Sequence, residues 1–376
     1  MRILNYEKRE REDGGQGTDR PTLERRLKMK ELLTASRMGA LLGCPRKHFW
    51  RYEVGLRRMG DGAALRFGSA WHRAMEARWA GADISAAFAA GVGDKSEIDE
   101  LQIATLSGML AGYYKAWGGE PIETVYPEVE FRLPLAASRT FESAGKIDGL
   151  AKMNDGRLAL IEHKSAGCDI APDSDYWLRL RGNAQVMQYV LAARGLGWDV
   201  ALVIYDVTRK PAISPLSAVP VLDEAGLRVV LDAEGNRVLK KDGTPRESGD
   251  KEKGYTLSSR PETLDEFADR LAADTQARRE FYFARREVPI LEDDLAEFEV
   301  QRSVLARQIL SCRGEARRAK RPEHGWPRNV GEMTCKYCDF SAFCLQNTAV
   351  DAEHPPAGFA VGEIHRELTG TGVSSQ

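Results

Sequence analysis

The sequence predicts an α/β fold, on two observations. Residues 145–164, GKIDGLAKMNDGRLALIEHK, hold two apolar runs joined by Asn154-Asp155-Gly156. That triplet is a hairpin signal, because Asp and Gly tolerate the positive φ of a tight turn. Further on, GNAQVMQYVLAARG has helical periodicity and leads into the buried strand DVALVIYDV. With the segments before them these give a helix, a three-stranded meander, a helix and a strand.

The 376 residues suffice for one large domain or two, with ample chain for a buried core. A net charge of −2 excludes a histone-like binder, so nucleic-acid affinity would have to come from local basic clusters. No apolar run reaches membrane-spanning length and the N-terminus is charged, so the expected location is cytoplasmic, with no membrane partner. The six cysteines then need a reason other than disulfides.

Residues 1–30 are rich in charge and Gly and poor in apolar residues, which predicts a disordered lead-in. A core domain is expected over 31–206. Ser36 precedes a helix carrying Met38, Leu41 and Leu42, broken at Pro45 and followed by a second short helix. Arg46, Lys47, Arg51, Arg57 and Arg58 there alternate with His48, Phe49, Trp50 and Tyr52, a mixture suited to backbone tracking and base stacking or to a solvated helix face. A second basic cluster runs through Arg313, Arg317, Arg318, Lys320 and Arg321.

FGSAWHRAMEARW places His72, Met75, Glu76 and Trp79 on one helical face, and Ile103, Leu106, Leu110, Tyr113 and Trp117 form the core stripe of the next long helix. Strands follow at 125–133, 141–150 and 157–163. Residues 207–260 are polar and turn-rich, an insertion with little core and a small hairpin near Glu234-Gly235-Asn236. A helical region over 261–345 contains a helix opened by a Thr263–Glu266 capping box and another bearing Leu295, Phe298, Leu305 and Ile309. It closes in a cysteine loop, and 346–376 reads as a mobile tail. No internal repeat is evident.

The hairpin brings Asp148 near Glu162. Strand alternation puts Glu162 and Lys164 on one face and His163 on the other. Two carboxylates beside a lysine suit a hard cation, Mg²⁺ or Mn²⁺, which relieves their repulsion and acidifies a water that the lysine orients. Read alone, the D…E-x-K pattern also fits a surface hairpin with a structural Glu–Lys pair, and a lone His72 fits a packed core residue.

Cys335, Cys338 and Cys344 have C-x2-C-x5-C spacing, so one loop aims three sulfurs at a point; Cys44, Cys168 and Cys312 are candidates for a fourth ligand. Soft thiolates suit zinc or an iron–sulfur cluster, and a triplet with a remote singlet favours [4Fe–4S] over structural Zn²⁺.

In order along 36–345, the chain carries C-P-R-K at Cys44, G-x3-H at Gly68 and His72, G-x-x-D at Gly145 and Asp148, E-x-K at Glu162 and Lys164, Q-x3-Y at Gln185 and Tyr189, and the cysteine triplet. The set resembles the PD-(D/E)XK nucleases, in particular the RecB-like branch with an iron–sulfur clasp found in phage exonucleases, the AddB nuclease domain and CRISPR-associated adaptation exonucleases. The resemblance implies a restriction-endonuclease-like core, a mixed sheet flanked by helices, with an added helical region and clasp. It implies that His72, Asp148 and Glu162, with the His163 carbonyl, ligate the divalent metal and that Lys164 positions the attacking water. Gln185 and Tyr189 would contact the DNA backbone, and Cys44, Cys335, Cys338 and Cys344 would hold the cluster. The implied activity is exonucleolytic hydrolysis of DNA, on single strands or duplex ends, in phage or bacterial recombination or repair. A CRISPR-adaptation nuclease acting with an integrase and a non-catalytic DNA-end-binding module are the alternatives. No G-x4-G-K-[ST] loop is present, so unwinding would fall to a helicase, single-strand-binding or recombination partner.

Overall fold

A computed structural model describes residues 30–365 and 368, apart from 61, 94–97, 119–122 and 137. The lead-in expected over 1–30 lies, Lys30 aside, outside the described residues. β1 (Glu31–Leu33) is followed by α1 (Ala35–Gly43) and α2 (Pro45–His48), with the extended Cys44 between them. Thr34, not Ser36, caps α1, accepting the Arg37 N–H at 3.1 Å. Pro45 sits in the first turn of α2, where its missing N–H costs nothing, and the chain continues through a π-helical turn, Phe49–Glu53, to β2 (Leu56–Arg58). Three helices follow: α3 (Ala63–Trp79), α4 (Ile84–Val92) and α5 (Glu100–Trp117), the last opened by a reciprocal Asp99–Gln102 capping box.

The strands are β3 (Glu123–Tyr126), β4 (Val129–Pro134), β5 (Phe141–Ile147), β6 (Gly149–Lys152) and β7 (Leu158–Ala166). Next come α6 (Asp175–Arg181), α7 (Ala184–Gly195) and β8 (Val200–Arg209). The strand expected over 141–150 is therefore two strands in two sheets. β5 pairs with β1 and β4, whereas β6 pairs with β3 and β7, and Asp148 is the residue at the bend between them. Gly145 lets β5 pass close to its neighbours: a Cβ there would lie 2.8 Å from the Phe131 ring and 3.0 Å from that of Tyr189.

The insertion contains β9 (Val219–Pro220), β10 (Val230–Leu231), β11 (Thr256–Leu257) and β12 (Ser259–Arg260), in two small antiparallel ladders. It holds a repeat that the sequence reading missed. Gly226, Gly235 and Gly243 each take positive φ in a tight turn, closed by bridges Leu222↔Arg228, Leu231↔Arg237 and Leu239↔Pro245. Each unit closes seven residues with Gly fifth, but the units start at 222, 231 and 239 and the third replaces the Asp and Arg that the first two share, which hides the period.

α8 (Leu264–Ala277), opened by the expected Thr263–Glu266 capping box, and α9 (Arg279–Tyr282) lead to β13 (Phe283–Pro289). This strand was not expected, because its Arg285-Arg286-Glu287 centre lacks apolar alternation. It completes the five-stranded order β13-β8-β7-β6-β3, in which only β7 and β8 are parallel. α10 (Glu292–Arg318) buries Leu295, Phe298, Leu305 and Ile309 as its spacing predicts. α11 (Glu332–Lys336) and α12 (Ser341–Leu345) carry the cysteine loop, and β14 (Phe359–Val361), within the segment read as a tail, pairs with β2.

Two cores lie on opposite faces of the central sheet. Leu160 of β7 packs with Val186, Val190 and Ile309 on the α7–α10 side; Ala159 and Ile161 pack with Trp71, Leu106 and Leu271 on the α3–α5–α8 side. The basic clusters divide: Arg46 and Arg313 are structural, whereas Arg58, Arg317, Arg318 and Lys320 are exposed to solvent. Arg46 and His48 are buried, as are Phe49, Trp50 and Tyr52, so these aromatic rings form core rather than a base-stacking surface. Arg313 and the buried Arg37 share Glu31 and Glu53, tying α1, the π turn and α10 together. Among the described residues no helix is long and apolar enough to cross a membrane.

Candidate active site

The β6–β7 hairpin, with Gly156 at φ +86° in its turn, pairs Gly149 with Ile161. One step on, the chain has bent away at Asp148, and the His163 N–H donates to Asp148 Oδ2 at 2.9 Å instead of to a strand partner. Glu162 is fully buried on the α7 side. The Lys164 ammonium lies against its Oε1 and donates to Gln185 Oε1 at 2.9 Å. Gln185 Nε2 in turn donates to Tyr189 Oη at 3.0 Å, one turn along α7. From the other side, α3 brings His72 Nδ1 to 3.8 Å from Asp148 Oδ2. Contacts thus link His72 to Asp148 and, as a second group, Glu162, Lys164, Gln185 and Tyr189, with the His163 peptide that holds Asp148 lying between Glu162 and Lys164 in the chain. The His163 side chain faces away from Glu162 and Lys164, as alternation requires, so toward this site it offers its peptide group.

Burial, reinforced by the Asp148 charge, pushes the Glu162 pKa up to about 7 against the pull of Lys164. Burial also raises Asp148, opposed by the charge and peptide N–H of His163. Crowding by the protein, then His163, lowers the His72 pKa; with 46 % of its side chain exposed, solvent offsets part of that effect, and the ring is neutral at pH 7. One turn along α3, burial and a bond to Glu128 push Glu76 up to about 7.

These features suit a divalent cation. Apart from the Lys164 ammonium, no donor reaches either oxygen of the buried Glu162 carboxylate, and hard oxygen donors with a neutral imidazole form a reasonable ligand set. As they stand, no three His, Cys, Asp or Glu side chains among the described residues are positioned to hold a metal ion. Lys164 occupies the face of Glu162, and Asp148 Oδ2 is engaged by the His163 peptide.

Sequence reasoning missed a row of polar groups behind the site. His163, Asp206 and Arg285 are registered neighbours across β7, β8 and β13. His163 Nδ1 is 3.0 Å from Asp206 Oδ2, Arg285 Nε donates to Asp206 Oδ1 at 3.3 Å, and Tyr113 on α5 donates to Asp206 Oδ2. Asp206 within the otherwise apolar run VALVIYDV was the available signal, since a buried carboxylate demands partners.

The cysteines meet elsewhere. Cys44, Cys335, Cys338 and Cys344 all line one pocket, whereas Cys168 is exposed and Cys312 is buried in the α10 core. Cys44 reaches it because its segment is stitched to the C-terminal part. Arg46 N–H and Nε donate to the carbonyls of Pro327 and Trp326, and Asn329 donates from Nδ2 to Gly43 O and from its peptide to Cys44 Sγ. Four soft sulfurs are the donor chemistry of a cluster or of zinc, although as they stand no three of them are positioned to hold a metal ion.

Among solved structures, the crystal structure of SSO0001 is similar at 12 % identity, over 75 % of this chain and 86 % of that one, with a TM-score of 0.27, too low to carry an argument. No curated protein matches the sequence. Residues 32–345 match the sequence model of the PD-(D/E)XK nuclease superfamily, whose members are generally nucleases. The matched span contains the two-sheet bend at Asp148, the E-x-K strand β7 and the helix α7 behind it, and the chain belongs to the PD-(D/E)XK nuclease superfamily.

Proposed function

We propose that the chain is a Mg²⁺- or Mn²⁺-dependent DNA exonuclease of the RecB-like branch, stabilised by a [4Fe–4S] cluster and acting in recombination, repair or end processing. The observation that carries the reading is the meeting of His72, Asp148, Glu162 and Lys164 at the place where the chain passes from one sheet to the other. His72, Asp148 and Glu162, with the His163 carbonyl, would hold the cation. When bound, it supplies a more acidic water and stabilises charge developing on the phosphate. Lys164, held by Gln185, orients the attacking water and offers positive charge to the phosphoryl oxygens. Tyr189 is buried at 8 % exposure and bonded to Gln185, so its part is to brace that residue, leaving Gln185 and Lys164 nearer the DNA. Cys44, Cys335, Cys338 and Cys344 would hold the cluster, which joins chain segments almost 300 residues apart and so restricts the unfolded state.

The test is digestion of 5′- and 3′-end-labelled single- and double-stranded DNA and of a circular control with Mg²⁺, Mn²⁺ or EDTA. Release of short products from linear substrates only, abolished by EDTA, is expected. Cleavage of circles overturns the exonuclease assignment, and cleavage in EDTA overturns the metal dependence.

A further inference from the structure

We propose that Asp206 is a positioning residue for this site: through the His163 ring it fixes the peptide N–H that holds Asp148. The inference rests on the nuclease reading above. Where β7 carries His163, the ladder to β6 has ended, because the chain turns into the other sheet at Asp148. On that side the His163 peptide is met by the Asp148 side chain, so its orientation decides where the carboxylate points. The ring gives that peptide a second anchor. A carboxylate only accepts, so the Nδ1 atom that Asp206 meets at 3.0 Å carries the proton.

Asp206 is fixed by partners from three other elements, Tyr113, His163 and Arg285. It is 3 % exposed and receives Tyr113 Oη and Arg285 Nε, while Arg285 Nη2 also donates to Tyr113 Oη at 3.0 Å. The Arg285 guanidinium carbon lies 5.2 Å from the Trp79 ring centroid and 4.3 Å from that of Trp117. The row His163–Asp206–Arg285 crosses three strands in register, so a rigid sheet sets the position of Asp148 at the bend before the neighbouring β6. Groups placed behind the ligands in this way orient them, and their loss costs about 10- to 100-fold in metal affinity or activity.

The experiment compares full-length Asp206→Asn, His163→Leu, the double variant and His163→Asn by Mn²⁺ calorimetry and by DNA cleavage. Asp206→Asn and His163→Leu are each expected to weaken Mn²⁺ binding about 10- to 100-fold, the double variant no more than either. His163→Asn keeps a donor where Nδ1 sits and should stay within a few-fold of wild type. A folded Asp206→Asn protein with wild-type Mn²⁺ affinity, or losses that multiply in the double variant, overturns the inference. Should Asp206→Asn fail to fold, Tyr113→Phe, which removes one donor to Asp206, decides on the same readouts: a several-fold loss supports it and wild-type affinity overturns it. A wild-type chain that binds no Mn²⁺ overturns the nuclease reading itself, whereas binding by the wild type beside an unaffected variant overturns only this step.

Discussion

Lys164 is gripped by Gln185: its ammonium donates to Gln185 Oε1 at 2.9 Å while also lying against the buried Glu162 carboxylate. A flexible four-carbon amine is thereby confined to one direction. Gln185→Ala frees it and should lower kcat about tenfold or more with little effect on DNA affinity, and Tyr189→Phe, which keeps an aromatic ring but loses the acceptor for Gln185, by a few-fold. Lys164→Ala and Asp148→Ala remove the groups themselves, with expected losses of at least about 10²- to 10³-fold. Single-turnover cleavage at saturating Mn²⁺ checks the series; a Lys164→Ala protein that cuts at the wild-type rate breaks the site assignment.

Glu162 and Glu76 are both pushed up to about 7 by burial, with Asp148 and Glu128 adding repulsion respectively. In the unfolded chain each titrates near 4.5. Between those values the folded state binds more protons than the unfolded state, so stability falls as pH rises through that window. The EDTA-treated protein should therefore melt higher at pH 5.5 than at pH 7.5 as far as these groups decide it. Mn²⁺ competes with the protons, so its stabilising effect should be larger at the higher pH. Melting curves at two pH values with and without Mn²⁺ test this, and a cation effect that shrinks as pH rises contradicts it.

What the sequence made legible was local. Asn154-Asp155-Gly156 specifies its own turn, and the turn pins Asp148 near Glu162 whatever the rest of the chain does. The helical spacing of Gln185 and Tyr189 is equally local. Asp206 was not legible, because its importance comes from β7–β8 register, a pairing of residues 43 positions apart. β13 escaped because its Arg285 and Arg286 lay their guanidinium groups against Trp117 and Trp177, so this edge strand is written in cations rather than in apolar alternation. The basic aromatic segment at 46–52 misled for the converse reason. Composition does not say which face of a helix is covered, and here Trp326 and Phe343 cover it.

The insertion should be dispensable for folding. Its neck is closed by Leu216 and Glu262, which exchange backbone and side-chain bonds, and its turns are satisfied by their own Asp223, Asp232 and Asp242. Almost none of its apolar side chains enters the two cores, Val230 being buried within the insertion itself. Replacing 217–261 by a short Gly-Ser linker should leave the melting temperature within a few degrees. A protein that fails to fold would show that the hairpins support the sheet.

Arg313 offers a stability test remote from the site. It donates to both Glu31 and Glu53, which also share Arg37. Arg313→Ala leaves two carboxylates with one guanidinium. A fully buried broken pair costs about 3–5 kcal/mol, and the 40 % exposure of Glu31 discounts that to about 2 kcal/mol. Urea unfolding measures it, and a change below about 0.5 kcal/mol would mean the network is screened by solvent.

The cysteine pocket makes the sharpest division among the six thiols. Cys44 sits at the extended joint between α1 and α2, beside the Cys335–Cys344 loop, and its sulfur already accepts the Asn329 N–H at 3.4 Å. Cys168 lies exposed and outside that pocket. If four thiolates hold a cluster, Cys44→Ser should remove the brown absorbance near roughly 400 nm, release iron and sulfide, and lower the melting temperature, while Cys168→Ser changes none of these. The loss should extend to the nuclease activity only through unfolding, because the candidate catalytic groups are carried by the β5–β6 bend, β7, α7 and α3 rather than by the cysteine loop. Anaerobically purified wild-type protein that is colourless and holds one zinc per chain would keep the clasp and replace its metal. Protein with neither metal would leave the four cysteines as an apolar lining alone.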